Sequence, residues 1–122
     1  RTESQINHWA ARYGYKDRGE AILKEAKHGA NGRYACINLT NTDTIEFRVF
    51  RGTLKYNTVI ATLQFVANLC RVAISLPEYR IQEFSWPALI EALTQDNCPE
   101  LVQYLKERNM YVNEPVTAER EV

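Results

Sequence analysis

The sequence predicts an α+β fold in which a short antiparallel hairpin packs on a long central helix, with shorter helices around it. Two patterns predict it: residues typical of strands follow the turn Asn31-Gly32, and a long apolar run with helical spacing follows Gly52. At 122 residues, 45% hydrophobic and 25% charged, the chain has the size and composition of one globular domain. We assign that domain to 1–112 and expect 113–122, which carries mixed charges and a proline, to be frayed.

Two short helices are predicted before the hairpin. The first runs from Glu3 to about Arg12, because its apolar residues recur at three to four positions. The second begins after Asp17 as its N-cap and ends at Gly29, a residue suited to a left-handed C-terminal cap. Its apolar face is narrow, so we expect it to lie on the protein surface.

The hairpin is predicted from Arg33–Leu39 and Thr44–Arg51, joined by a polar cluster typical of turns. Successive side chains of a strand point to opposite faces, so the second strand should place one face in the core and the other towards solvent. The predicted core face is Ile45, Phe47 and Val49, and the predicted opposite face is Glu46, Arg48 and Phe50.

The central helix is predicted from about Asn57 to Ser75, where Asn57 or the next residue serves as the cap. Apolar residues cover most of its circumference, which predicts that it is the buried centre of the fold. Gln64, Asn68 and Arg71 interrupt the apolar run and would be costly in hydrocarbon. We therefore do not expect this helix to span a membrane.

Two more helices are predicted towards the C-terminus. One begins after Ser85, which can cap it, with Pro87 in a first turn that needs no amide donor, and runs to about Leu93. The other starts at Pro99 and runs to about Asn109.

The spacing of the cysteines indicates the cellular compartment, and the distribution of charge indicates the kind of ligand. Cys36, Cys70 and Cys98 are far apart and odd in number, which favours reduced, buried or half-buried thiols and a cytoplasmic location. Residues 1–60 hold ten basic and six acidic side chains, whereas 61–122 hold five and nine. A basic half can bind anions such as nucleotide phosphates, although a chance division of solvated faces explains the counts equally well.

Charge is concentrated around the second strand. Glu46 and Arg48 are two residues apart and so share a face, Arg51 and Lys55 follow, and Arg33 belongs to the preceding strand. A carboxylate in this position can bind Mg²⁺, and guanidinium groups can hold phosphate oxygens. Exposed strands also alternate Glu and Arg for cross-strand pairing, and spacing alone leaves that alternative open.

The run Arg33–Leu76, with EFRVFRGTL near its centre, resembles the closing segment of the amidoligases, carboxylate–amine ligases with a glutamine-synthetase-like fold. The later SWPALIEAL and ELVQYLKERNMYVNE are similar to the tail of phage-type and mobile-element members. The resemblance implies part of a cytoplasmic enzyme in which ATP and Mg²⁺ convert a small-molecule or peptide carboxylate to an acyl phosphate, which an amine captures as an amide. It implies catalytic roles for Arg48 and Arg51, ATP contacts from Arg33, Arg48, Arg51 and Lys55, and a metal ligand in Glu46.

One part of the family's pattern has no counterpart in this sequence. Amidoligases begin with a strand of paired acidic metal ligands, in the sense of GxExE, and nothing similar precedes Arg33. The chain also begins at Arg1 rather than Met. We therefore expect a C-terminal piece of a larger, glutamine-synthetase-like domain that does not turn over substrate alone, and whose exposed sheet edge favours a homodimer.

A second hypothesis is a non-catalytic module that binds a nucleotide, nucleic acid or protein. Aromatic and basic residues alternate in the first part of the chain and could form a stacking surface for single strands. No recognised nucleic-acid-binding motif accompanies them, so nucleic acid is not the partner we expect first. The residues concerned are Trp9, Tyr13, Tyr15, Tyr34, Arg12, Lys16, Arg18 and Arg33.

Overall fold

The computed structural model describes residues 2–14, 19–29, 32–94 and 96–112. It combines helices with a two-stranded antiparallel sheet and one long helix, which is an α+β composition. The chain divides into two compact units, Arg1–Gly52 (unit 1) and Thr53–Val122 (unit 2). The single domain over 1–112 stays a prediction, and 113–122 lie outside the described residues.

Helix α1 spans Glu3–Trp9 and begins with a complete capping box. The Thr2 hydroxyl accepts a hydrogen bond from the Gln5 amide at 3.2 Å, and the Gln5 side chain accepts one from the Thr2 amide at 3.0 Å. The helix ends earlier than the predicted Arg12. Gly14, with φ of +73°, adopts a left-handed conformation shortly after it.

Helix α2 spans Gly19–His28. Its predicted N-cap, Asp17, lies outside the described residues. The predicted left-handed cap at Gly29 is wrong, because Gly14 is the described glycine with a positive φ. A Cβ at Gly29 would lie 2.3 Å from the Glu25 carbonyl oxygen, so close approach to the helix excludes a side chain there.

The predicted antiparallel hairpin is confirmed, but its strands are much shorter than predicted. Strand β1 is Ile37–Asn38 and strand β2 is Glu46–Phe47, with Ile37 opposite Phe47 and Asn38 opposite Glu46. The chain at Gly32–Tyr34 forms a 3₁₀ helix, so the prediction that Arg33 lies in a strand is wrong. The strand was predicted there because Asn-Gly turns are commonly followed by extended chain.

An isolated parallel bridge joins the end of α1 to the start of the hairpin. Ala11 donates a backbone hydrogen bond to the Tyr34 carbonyl at 2.9 Å and accepts one from the Cys36 amide at 2.8 Å. The Cys36 carbonyl in turn accepts a bond from the Arg48 amide at 2.8 Å. These bonds connect three separate segments of unit 1.

Unit 1 buries few large side chains. Ile45 is 58% and Val49 is 48% exposed, so the predicted core face of β2 is wrong for these two residues, and Phe47 is only half-buried. A strand of two residues leaves its flanking residues free to turn towards solvent. The described residues that unit 1 does bury are Ala10, Ala11, Ala26, Ala35 and Asn38.

Unit 2 is helical. Helix α3 spans Tyr56–Ser75, α4 spans Trp86–Ala92 and α5 spans Pro99–Glu107, with a 3₁₀ helix at Glu78–Glu83. All three predicted α-helices are therefore confirmed, although the N-cap of α3 is Lys55, which makes no side-chain cap bond, rather than Asn57.

Hydrogen bonds cap the start of α4 and the end of α5. Ser85 caps α4 by accepting the Ala88 amide at 3.4 Å. Helix α5 ends in a Schellman motif, in which Asn109 has φ of 56° and the Met110 amide donates to the Leu105 carbonyl at 2.8 Å.

The hydrophobic core of unit 2 centres on α5 rather than on α3. Helix α3 buries only Ala61, Asn68 and Val72. On α3, Leu63 is 60% and Ile74 is 87% exposed, so the prediction of a buried central helix is wrong. One side of α3 packs on its neighbours in unit 2 while these apolar residues stay open. The core cluster is Ala61, Ile90, Leu93, Cys98, Leu101, Val102 and Leu105.

Gln64 of α3 completes the first turn of α5. Its Oε1 accepts a hydrogen bond from the Leu101 amide at 2.9 Å, and its Nε2 donates to Glu100 Oε2 at 2.7 Å. The N-cap residue of α5, Cys98, makes no side-chain cap bond. Gln64 therefore does the work of an N-cap from another helix.

Among the described helices, α3 alone is long and apolar enough to cross a membrane by length and composition. Its polar residues are nevertheless engaged within unit 2: Arg71 donates to the Ala92 carbonyl at 3.0 Å and to Asn68 Oδ1 at 3.1 Å. Helices α4 and α5, at seven and nine residues, are too short to span a bilayer. Hydrogen bonds from Arg71 therefore tie α3 to the end of α4 within unit 2.

Candidate functional site

The structure distributes the predicted site residues over both units. Glu46 opens β2, Arg48 follows it directly, and Arg33 lies in the 3₁₀ helix of the same unit. Arg51 is exposed and follows the hairpin, still in unit 1, whereas Lys55 belongs to unit 2 as the N-cap of α3. A joint site that includes Lys55 stays a prediction.

Arg48 is held at both ends of its guanidinium group. Its Nη1 donates to Glu46 Oε1 at 3.1 Å, and its Nε donates to the Trp9 carbonyl at 3.1 Å. The side chain is 25% exposed, so it is well packed for an arginine. A guanidinium has five N–H donors, and these two contacts engage two of them, which leaves donors for a ligand.

A buried asparagine, Asn38, also bonds to the carboxylate of this ion pair. Asn38 is 2% exposed, and its Oδ1 accepts hydrogen bonds from the Thr40 amide at 3.0 Å and the Thr40 hydroxyl at 2.7 Å. Its Nδ2 donates to Glu46 Oε1 at 3.4 Å. Glu46 is therefore oriented by Asn38 of β1 and by Arg48, which follows β2.

Aromatic rings and guanidinium groups converge on Tyr34. The guanidinium carbons of Arg33 and Arg48 lie 4.9 Å and 5.4 Å from the centre of the Tyr34 ring, and Arg33 also donates to the Tyr34 hydroxyl at 2.8 Å. The Trp9 ring contacts Tyr34 edge-to-face at 5.6 Å. We call Trp9, Arg33, Tyr34 and Arg48 the Tyr34 cluster.

The Tyr34 cluster carries excess positive charge. Its carboxylate neighbour is Glu46, whose pKa is lowered chiefly by the hydrogen bond from Arg48 and further by Asn38 and the charge of Arg33. In the part of unit 1 that the structure describes, one ionised carboxylate thus balances the two guanidinium groups of the cluster. Such an imbalance favours the approach of an anion.

A magnesium site does not fit the residues around Glu46. Mg²⁺ prefers about six oxygen ligands in octahedral geometry. In the part of the chain that the structure describes, no group of three or more His, Cys, Asp or Glu side chains is placed to hold a metal ion. Glu46 is a single carboxylate already bonded to Arg48 and Asn38.

Unit 2 contains a cleft that sequence reasoning missed. It has a volume of about 330 Å³ and lies where the start of α3 meets α5, between Lys55 and Tyr56 on one side and Glu100, Tyr104 and Arg108 on the other. Finding it requires knowing that α3 and α5 pack together, which spacing along each helix does not reveal. The sequence also gives no sign that Arg48 and Trp9 lie together: Arg48 was assigned to the ATP site and Trp9 to the alternative nucleic-acid surface.

Comparison with known proteins does not support the resemblance, which therefore depends on the sequence motif alone. No family model matches the chain. No curated protein and no solved structure matches it either. The support for a function therefore comes from the residues of unit 1 and their geometry.

Proposed function

We propose that the chain is the C-terminal part of an ATP-dependent amidoligase with a glutamine-synthetase-like fold, in which unit 1 binds the phosphate groups of the nucleotide. The observation that carries the proposal is the convergence of Arg33 and Arg48 on one aromatic ring beside a single carboxylate. The convergence falls within the run that resembles the family, because Arg48 is the first of the two arginines of EFRVFRGTL.

The reaction gives these side chains a purpose. ATP transfers its terminal phosphoryl group to a carboxylate, releasing ADP, and an amine then displaces phosphate from the acyl phosphate to leave an amide. Charge on the transferring group is best stabilised by donors already fixed in place. Arg48 meets that requirement because Glu46 and the Trp9 carbonyl orient it before any ligand arrives.

The proposal keeps the roles that the motif implies. Arg48 and Arg51 act on the transferring group, with Arg33 as a further nucleotide contact in unit 1. Magnesium would require carboxylates beyond Glu46. The substrates are a small-molecule or peptide carboxylate and an amine, and the setting is the cytoplasm, with phage or a mobile element as the source. Turnover is not expected from this chain alone.

Calorimetric titration of the chain with ATP tests the proposal. Arg48→Ala should raise the Kd for ATP about tenfold or more, because a charge-assisted contact to phosphate is lost. Arg12→Ala is the matched control, since Arg12 is an exposed arginine of the same unit that pairs with Glu3 at 3.0 Å. Absence of ATP binding, or equal loss in both variants, would contradict the proposal.

A second function is favoured by the lack of a metal-binding group around Glu46 in the described residues. In this alternative, unit 1 is a non-catalytic module that binds single-stranded nucleic acid through the Tyr34 cluster. Affinity for an oligonucleotide should then fall steeply with added salt, because phosphate contacts release counterions. Strong, salt-sensitive oligonucleotide binding together with indifference to ATP would favour this alternative over the ligase.

A further inference from the structure

We propose that Trp9 is the nucleobase contact of the Tyr34 cluster: a base stacks on its exposed indole while the attached phosphate reaches Arg33 and Arg48. The inference rests on the proposed function, nucleotide binding by unit 1, and names the residue that recognises the base. The ligand class is a base joined to phosphate, whether a free nucleotide such as ATP or a nucleotide within a single strand.

Trp9 is both exposed and fixed. It is the last residue of α1 and is 46% exposed, although a ring of this size gains from burial. Two rings contact it edge-to-face: His8 at 4.2 Å with an interplanar angle of 85°, and Tyr34 at 5.6 Å with 74°. An indole held in position but open to solvent is a surface on which a base can stack without reorganisation of the protein.

The phosphate contacts lie next to this ring. The Trp9 carbonyl accepts the hydrogen bond from Arg48 Nε, so one bond joins the stacking residue to a guanidinium of the cluster. Tyr34 contacts the Trp9 ring and both guanidinium groups. Aromatic rings beside a positively charged surface are the arrangement by which proteins hold a base and its phosphate together.

Apolar chemistry alone does not explain the arrangement. An exposed tryptophan that served only to cover the protein would not need to contact a tyrosine ring beside which two guanidinium groups lie. The arginines also place like charges together at Tyr34, and among the described residues one carboxylate, Glu46, offsets them. A ligand that joins a flat ring to an anion would stack on the exposed indole and also neutralise the excess positive charge.

Fluorescence can observe Trp9 directly, because the chain has only two tryptophans. The other, Trp86, stacks on Phe65 at 6.2 Å in unit 2 and donates to the Met110 carbonyl at 2.8 Å. The variant Trp86→Phe leaves Trp9 as the sole indole. ATP should quench its emission, whereas tripolyphosphate should bind, as measured by calorimetry, without quenching it.

The companion variant Trp9→Leu separates base from phosphate. It should weaken ATP binding about tenfold, within the range that stacking of one base supplies, and leave the Kd for tripolyphosphate unchanged. Trp9→Phe should fall between the two. If Trp86→Phe loses its helical circular dichroism, the comparison of ATP with tripolyphosphate in the Trp9→Leu variant decides the question alone.

Each outcome has one meaning. An unquenched Trp9 at saturating ATP, or equal loss of ATP and tripolyphosphate in Trp9→Leu, overturns the inference while phosphate binding at Arg48 stands. Binding of neither ligand by the unaltered chain removes the proposed function and the inference together. A parallel titration with single-stranded oligoadenylate identifies the source: quenching that disappears at high salt indicates a nucleic-acid strand, and quenching by ATP alone indicates the free nucleotide.

Discussion

The two units differ in the side chains that they bury. Unit 2 turns leucine, isoleucine and valine side chains inward, around Leu105, which is 2% exposed. Unit 1 buries alanines and an asparagine, while Trp9, Ile45 and Val49 remain exposed. Hydrogen bonds hold unit 1 instead: Tyr13 donates to the Ile37 carbonyl, and Ala11 bridges to Tyr34 and Cys36.

This difference separates stability from binding. Burial of apolar surface is the dominant favourable term in folding, so the free energy of unfolding should depend most on unit 2. Exposed aromatic and charged groups contribute little to that term but are available to a ligand. Substitutions in unit 2 should therefore change stability, and those at the Tyr34 cluster should change affinity.

The largest effect should come from Leu105→Ala. Removing a fully buried leucine costs about 2–5 kcal/mol, because transfer energy and a cavity both count. The control is Leu54→Ala, since Leu54 is 104% exposed and its truncation should change the free energy of unfolding by less than about 0.5 kcal/mol. Urea denaturation followed by circular dichroism at 222 nm measures both. Similar midpoints for the two variants would contradict the core assigned to unit 2.

Gln64→Ala should have the next largest effect. It leaves the amide of the buried Leu101 without its partner and removes the contact to Glu100, which should cost about 1–3 kcal/mol. Gln103→Ala is the control, because Gln103 makes one exposed bond to Glu107 at 3.1 Å, worth about 0.2–0.5 kcal/mol. Equal denaturation midpoints would show that Gln64 does not cap α5.

The sequence predicts the helices of unit 2 because their signals are local. Ser85 and Pro87 mark the start of α4, Pro99 that of α5, and the helical spacing after Gly52 marks α3. Capping and proline placement depend on residues only a few positions apart. The hairpin is predicted for a similar reason, since a polar cluster separates its two strands.

Burial and contact between distant segments could not be read in the same way. The pattern of Ile45, Phe47 and Val49 predicted a core face, but alternation fixes only which residues share a face, not whether another element covers it. The breadth of the apolar surface on α3 was likewise interpreted as complete burial. Gln64 illustrates the same limit, because its partners lie 36 and 37 residues away in the sequence.

The candidate site was predicted in part for the same physical reason. Strand periodicity correctly placed Glu46 beside Arg48, since residues two apart share a face. It could not place Trp9 against Arg48, which is 39 residues away, because that contact depends on where α1 ends. Arg33 reaches Tyr34 through a 3₁₀ turn rather than a strand. The site is therefore built by tertiary contacts around a pair that the sequence does reveal.

The smallest effect is electrostatic and tests that pair. Bonding to Arg48 lowers the pKa of Glu46, just as Arg12 lowers that of Glu3. The pKa of Glu46 is lower in the folded protein than in the unfolded chain. The ion pair therefore stabilises unit 1 at pH values above the unfolded pKa, and this contribution is lost as the pH falls through the folded pKa. Both carboxylates are solvated, so the effect on stability should be small.

NMR titration of the carboxyl carbons of Glu46 and Glu3 in two variants tests this prediction. Arg48→Ala should raise the pKa of Glu46 towards the ordinary glutamate value and leave that of Glu3 unchanged, whereas Arg12→Ala should do the reverse. If Glu46 keeps its lowered pKa in Arg48→Ala, then Asn38 and Arg33 hold the carboxylate instead. Arg48 would in that case be fixed only through the Trp9 carbonyl, and its orientation for phosphate would depend on α1 rather than on β2.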